Sequence, residues 1–476
     1  MNSNASKMHE DLADLRAREL VELIRTRAVS PVEVVDAVLR RMDQRADLNA
    51  FITVDAEGAH RAAQLAEQAV MRGDDLGPLH GVPFSVKDLT LTAGVRTTMG
   101  SRIFESFVPS QDAVPVARAK AAGAILIGKT NTPEFGARQI ARSPVGGRTL
   151  HPTHPDHTPG ASSCGAAVAV ASGQAPLALG TDGGGSIRIP ASCCGIVGFK
   201  ATLGEVANLQ PADLFTANSY VGPMAHDVGD AALLFESIRG PHRMDPWGQT
   251  PAVRQAAFKT PKSVRVAWLH RCGNRIDPEV SLATQSAVRM LEQAGAAVEE
   301  IELDFVSLEP HFITLLETLT ASRAGPHLAT HRDRMDPAIV ALVERGLRRN
   351  AQELLEAGFA RTRCFQDLQR VFERFDVLAS PTVSAPPLHI DVDPEGLIDI
   401  DGRAEMTVRA AWYPYTFPMN LTGHPAISLP CGKSRLGLPI GLQLVGPWHS
   451  DDRLLQMAAW LESALGSGSG SSARIA

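Results

Sequence analysis

The chain has 476 residues, 44% of them hydrophobic and 5% aromatic, and a formal net charge of −6. That length holds one large α/β unit or roughly two or three average domains. The interspersed charges and scarce aromatics argue against a nucleic-acid surface or a base-stacking platform.

Leu12, Leu15, Leu20, Leu23 and Ile24 recur at helical spacing and predict an amphipathic helix over 12–26. Ser30-Pro31-Val32-Glu33 reads as a capping box with proline at the first helical position, and Val32, Val35, Leu39 and Met42 share the face that follows. Residues 56–72 predict a third, alanine-rich helix. The run from Gly81 to Leu89, GVPFSVKDL, is apolar and β-branched and predicts a buried strand. A helix is predicted over 113–122 and a short strand over 124–128; this alternation indicates an α/β sheet. Small residues over 161–171 predict a closely packing helix, and another starts within 186–194. The Pro-rich 240–260 reads as a linker or surface loop, followed by a strand over 263–269, a helix over 280–293 and a strand over 296–303. Residues 376–387 read as a strand entering a Pro-rich loop, AISLPCG and GLQLVGP as late strands, and 450–465 as the closing helix.

The six cysteines, Cys164, Cys193, Cys194, Cys272, Cys364 and Cys431, form no CxxC pair and read as reduced thiols. The N-terminal stretch lacks the apolar centre of a signal peptide, and no run reaches the about 20 apolar residues of a membrane span. A soluble cytoplasmic protein is expected. The expected organisation is one domain over 1–466, with N-terminal helices over 10–75, a catalytic core over about 78–240 and 370–466, a helical cap over about 300–365 and a flexible tail over 467–476.

The chemistry concentrates between Gly160 and Ala191, where Ser162 and Ser186 each sit in a small-residue turn. In GTDGGGS the glycines let backbone N–H groups approach a ligand, and successive N–H groups before a helix form an anion cradle. A serine at the end of that cradle can attack a carbonyl while the N–H groups hold the oxyanion. No histidine lies in the stretch. Lys87, on a strand that reads as buried, is the candidate base, because poor solvation favours its neutral amine.

GVPFSVKD, GASSCG and GTDGGGSIRIPA, with Lys87 75 residues before Ser162 and Ser162 24 before Ser186, resemble the amidase signature family. The resemblance extends from the N-terminal helices to PAISLPCG and GLPIGLQLVGP. It implies a mixed, largely parallel central sheet flanked by helices on both faces. It also implies a Ser–cis-Ser–Lys triad of Ser186 as nucleophile, Ser162 as bridging serine in a cis peptide and Lys87 as base. Gly183, Gly184, Gly185 and Ser186 would form the oxyanion hole, supported by Ser163, Asp182 and Arg188, with Asn131 as a polar wall. No cofactor and no metal are called for. Gly183 stands where the family often has Thr or Ile, and Ala161 and Cys164 stand where it has glycines; Cys164 is read as packing.

The activity so implied is hydrolysis of C–N bonds in small amides, of the aryl-acylamidase or urethanase type, extending to carbamates and esters. The expected partner is the small-molecule substrate, with no nucleic acid, no membrane, and a homodimer as the family-level assembly. Substrate pockets are expected from 135–159, 206–220, 307–360 and 412–417. The alternative is the glutamine-hydrolysing A subunit of a tRNA-dependent amidotransferase; SIRIP in place of SIRQP, and ATLGEV after GFK in place of a PTYG-type run, speak against it. A third reading is nucleotide binding, because Gly123–Thr130 fits G-x4-G-K-[ST]; its middle residues, AILI, read as a strand and not a phosphate loop. His151, His154 and His157 are spaced like metal ligands, yet the prolines among them indicate an extended loop with structural or exposed histidines, leading toward the site. GxSxG is absent.

Overall fold

The computed structural model describes residues 12–216, 218–248 and 261–468. Three helices open it: α1 (Ala17–Arg25), α2 (Pro31–Gln44) and α3 (Ala56–Arg72). α2 begins as the sequence predicts, with Ser30 Oγ accepting from the Glu33 N–H and the Glu33 carboxylate accepting from the Ser30 N–H.

In chain order the sheet strands are β1 (Phe51–Val54), β2 (Pro83–Lys87), β3 (Ile125–Thr130), β4 (Leu177–Asp182), β5 (Val197–Lys200), β6 (Tyr220–Ala225), β7 (Arg265–Trp268), β8 (Ala297–Glu300), β9 (Val377–Pro381), β10 (Ala426–Lys433) and β11 (Pro439–Val445). These eleven pair in the order β1-β3-β2-β4-β6-β5-β10-β11-β9-β7-β8. The sheet is mixed. Parallel pairing joins β2 to β3 and β4, and β7 to β9 and β8. Between these groups the pairs from β4 through β6, β5, β10 and β11 to β9 are antiparallel.

Both faces of the sheet around β2, β3 and β4 carry buried apolar residues, as helix-covered strands require. Phe84, Val86, Leu177 and Leu179 join one buried cluster, while Ile125, Ile127 and Ala178 join another. After α4 (Val114–Ala121), the second cluster takes in the alanines of α5 (Cys164–Ala171). Successive strand residues face opposite ways, so Ser85 and Lys87 of β2 lie on the α5 side. The predicted helix over 161–171 begins only at Cys164, because 161–163 form the turn that carries the serines. β3 continues through Lys129 and Thr130, so the GKT sequence lies in the sheet.

The longer of the remaining helices are α6 (Arg188–Cys194), α7 (Val228–Ile238), α8 (Pro278–Gln293), α9 (Glu309–Ala324), α10 (Pro337–Arg348), α11 (Ala351–Arg374) and α12 (Asp451–Gly468). α9, α10 and α11 fill the segment expected to be helical, and Glu317 of α9 pairs with Arg345 of α10 and, at 2.8 Å, with Arg349. The predicted tail from 469 onward, and residues 249–260 of the predicted linker, lie outside the described residues. Among the described residues no helix is long and apolar enough to cross a membrane.

Candidate active site

β2 and β4 are parallel neighbours, and the site lies at their carboxyl ends, the usual place for ligands in such sheets. Lys87 is the last residue of β2 and is wholly buried. Its Nζ lies 2.7 Å from Ser162 Oγ, 2.9 Å from Ser163 Oγ and 2.9 Å from Thr181 Oγ1. Desolvation lowers its pKa to about 7, against the opposing pull of Cys164 and Asp182. Near neutrality the amine therefore holds its proton only part of the time. The peptide bond between Ala161 and Ser162 is cis.

Ser186 ends the glycine turn that leaves β4. Ser162 and Ser186 line one cavity of about 100 Å³, together with Thr181, Gly183 and Gly184. The Ser163 N–H donates to the Ser186 carbonyl at 3.2 Å, tying the two serine turns together. Among the described residues Ser186 Oγ has one hydrogen-bond partner, Gln139 Nε2 at 3.5 Å.

Asp182 shapes this turn. Its carboxylate accepts from the Gly185 N–H at 2.6 Å and the Ile187 N–H at 3.2 Å, and is clasped by Arg188 at 2.9 and 3.0 Å. Burial would raise the Asp182 pKa, but the charge and hydrogen bonds of Arg188 and a hydrogen bond from Asn420 outweigh it and hold the carboxyl well below the usual range. Arg188, also fully buried, donates to Gln443 Oε1 and Asn420 Oδ1, each at 2.7 Å. Asn420 Nδ2 in turn donates to the Asp182 carbonyl at 2.8 Å. Gly185 has φ +119°, and a Cβ there would stand 2.4 Å from Thr416 Oγ1, so only glycine fits. The Gly185 N–H, expected in the oxyanion set, is engaged by Asp182, whereas the N–H groups of Gly183, Gly184 and Ser186 make no backbone hydrogen bond with the described residues.

Asn131 sits behind the site and not on its wall. Its side chain donates to Thr149 Oγ1 at 3.0 Å and accepts from Ser143 Oγ at 3.1 Å, holding the 142–149 loop. Cys164 is buried, with Sγ 3.5 Å from the Asn131 carbonyl, and burial raises its thiol pKa. The histidine loop packs away from the cavity: His151 Nε2 meets the Cys193 carbonyl at 2.9 Å, His154 Nε2 the Leu436 carbonyl at 2.8 Å, and His157 Nδ1 Asp156 at 2.9 Å. Lys129, the lysine of the phosphate-loop pattern, is buried in β3; it donates to the Thr90 carbonyl at 2.6 Å and Thr97 Oγ1 at 2.7 Å, 3.7 Å from Asp88.

The cavity walls come from Leu89, the segment from Phe135 to Gln139, Asn218 and Ser219, and from α9, which contributes Phe312, Leu316, Leu319, Thr320 and Arg323. The 135–159, 206–220 and 307–360 segments thus contribute as expected. Trp412 packs elsewhere, in a cluster with Tyr413 and Val383. Gln139, Arg323, Asn420 and Gln443 carried no sequence signal; each reaches the site by tertiary approach and belongs to no motif.

A sequence model of the Amidase family matches residues 33–455. The A subunit of the glutamyl-tRNA(Gln) amidotransferase from Symbiobacterium thermophilum is 36% identical over 476 aligned residues, covering 93% of this chain and 95% of that one. The protein of the same name from a Synechococcus species is 34% identical, covering 95% and 97%. Among solved structures, a bacterial aryl acylamidase of the amidase signature enzymes aligns with TM-score 0.88 at 27% identity, over 96% of this chain and 99% of that one. The expectation of a small molecule as sole partner, with no nucleic acid and a homodimer, does not stand beside these relatives: by name they are subunits, of an enzyme named for a tRNA. The physical reason is that a net charge of −6 averages over the whole surface and does not describe the one face a subunit would use. With the family model spanning most of the chain and the same architecture in the solved relative, this protein is an enzyme of the amidase signature family.

Proposed function

We propose that the chain opens a carboxamide through an acyl-enzyme on Ser186. The observation that carries this is the buried Lys87 amine, 2.7 Å from Ser162 Oγ, with a pKa lowered to about 7 by desolvation. Neutral Lys87 takes a proton from Ser162 as Ser162 takes one from Ser186, whose oxygen attacks the amide carbon. The N–H groups of Gly183, Gly184 and Ser186 hold the oxyanion. The relay returns a proton to the departing nitrogen as the C–N bond breaks. Water, deprotonated by the same route, then attacks the ester and frees the acid and Ser186.

For substrate and setting, similarity supports the glutamine-hydrolysing A subunit of a tRNA-dependent amidotransferase, in which ammonia from glutamine passes to a partner. The relatives bearing that name match over nearly their whole length. One observation favours a second reading, an aryl or alkyl amide: the described residues lining the catalytic cavity include Arg323 and Arg409 but no carboxylate to face the α-ammonium of glutamine, and Leu89, Phe135, Phe312, Leu316 and Leu319 give part of the wall an apolar surface.

The test isolates the chain from its own host and measures ammonia from glutamine and 4-nitroaniline from 4-nitroacetanilide, beside Ser186→Ala. Co-isolation with a partner and Ser186-dependent ammonia release support the first reading. A chain that releases nitroaniline and ignores glutamine supports the second. Undiminished turnover in Ser186→Ala overturns the serine mechanism.

A further inference from the structure

Two larger spaces share lining residues with the catalytic cavity. One, of about 240 Å³, is walled by Leu89, Leu91, Met99, Phe104 and Phe135. The other, of about 710 Å³, lies between the 210–219 loop, α9 and α11, with Leu315, Leu319, Leu354, Leu355 and Phe359 on its walls. Arg323, in the last turn of α9, lines all three.

Arg323 has no hydrogen bond or ion pair with any described residue, and burial is the sole cause that lowers its pKa. Its guanidinium is open to solvent in the cleft, yet the surrounding walls thin its hydration. The other arginine of the cavity, Arg409, lies 3.9 Å from Glu309 and over the rings of Phe312 and Tyr413, so its charge is already spoken for. A cation near a helix C-terminus is favoured by the helix dipole. That accounts for its place on α9 but not for its lining three cavities at once, the two larger of them with mainly apolar walls.

We infer that Arg323 reads a carboxylate carried by the substrate, so that this cleft selects amides with an anionic group on the chain bearing the reactive carbonyl. A guanidinium matches a carboxylate with two parallel N–H···O bonds, and the lining residues of the catalytic cavity and of the smaller annex hold no acid to repel it. The inference rests on the proposed amide hydrolysis and deepens it, naming the substrate class. It applies to glutamine and to amides lacking the ammonium alike.

The test compares kcat/KM for ammonia release from glutaramate and from pentanamide, its counterpart with methyl in place of carboxylate, in the wild type, Arg323→Gln and Arg323→Lys. The wild type is expected to prefer glutaramate by about 10- to 100-fold, the range of a charge-assisted hydrogen-bonded pair. Arg323→Gln should erase that preference and Arg323→Lys restore part of it. Equal rates on the two amides in the wild type, or a preference that survives in Arg323→Gln, overturn the inference. Calorimetric binding of glutarate to Ser186→Ala, with and without Arg323→Gln, decides the point without turnover: weaker binding in the double variant supports it, and equal affinity overturns it. Ammonia release by Ser186→Ala alone would instead count against the serine mechanism, so the two failures are distinct.

Discussion

Lys87 Nζ lies 2.7 Å from Ser162 Oγ at a position wholly shut from water, and no carboxylate of the described residues hydrogen-bonds it. Desolvation places its pKa near 7, so protonation removes the base below that value. kcat/KM should therefore rise with pH, about tenfold per unit below 7, and flatten above it. Lys87→Arg, which keeps the charge and cannot lose its proton, should cost about 10²- to 10⁴-fold. A pH–rate profile flat between about 5 and 8 would refute the base.

Gln139 Nε2 is the one described hydrogen-bond donor to Ser186 Oγ, and Gln139 Oε1 is buried without a partner among the described residues. Gln139→Glu would put a carboxylate into a cavity whose described lining has none. An anion there favours the ammonium form of Lys87, so the rising limb of the pH profile should move to higher pH, by about one unit for an effect of about 1.4 kcal/mol. A merely structural role for Gln139 would lower the rate without moving the limb.

At Gly183 a Cβ would meet no atom of the described residues within 4 Å, and the backbone is outside the left-handed region. Gly183→Thr should fold normally, with unfolding free energy within about 0.5 kcal/mol of the wild type. The added side chain enters the cleft, so kcat/KM for a bulky anilide should fall about tenfold relative to acetamide. An unchanged ratio would place the acyl chain elsewhere.

Lys129 and Asp88 form a buried pair at 3.7 Å, and Thr98 completes the hold on Asp88. Burial raises the Asp88 pKa, and Lys129 opposes it. Lys129→Met strands that carboxylate and should destabilise the fold by about 3–5 kcal/mol in urea unfolding, with Asp88→Asn recovering part of the loss. Wild-type stability in the single variant would leave the pair without a structural role.

Lys87, Ser162 and Ser186 were legible because each lies in a local pattern, a buried strand end or a small-residue turn, and the patterns recur at set distances. Asp182 and Arg188 were legible as charges amid apolar sequence, which burial obliges to pair. Strand periodicity reports burial and not direction, so the antiparallel run from β4 to β9 had no local signature. The withdrawal of Gly185 from the oxyanion set depends on which N–H faces Asp182, a matter of turn geometry. Asn131 looked like a wall because it follows β3 directly, yet its amide turns back to hold the 142–149 loop.

The clasp around Asp182 also bears on when the site is completed during synthesis. By the time residue 200 has left the ribosome, every serine and lysine of the site has been made. Arg188, however, still lacks Asn420 and Gln443, which lie 232 and 255 residues further on. Until they arrive, the guanidinium lacks two of its partners and the glycine turn lacks its outer brace. A C-terminally truncated fragment would thus carry all the proposed reactive groups without the brace that holds their turn.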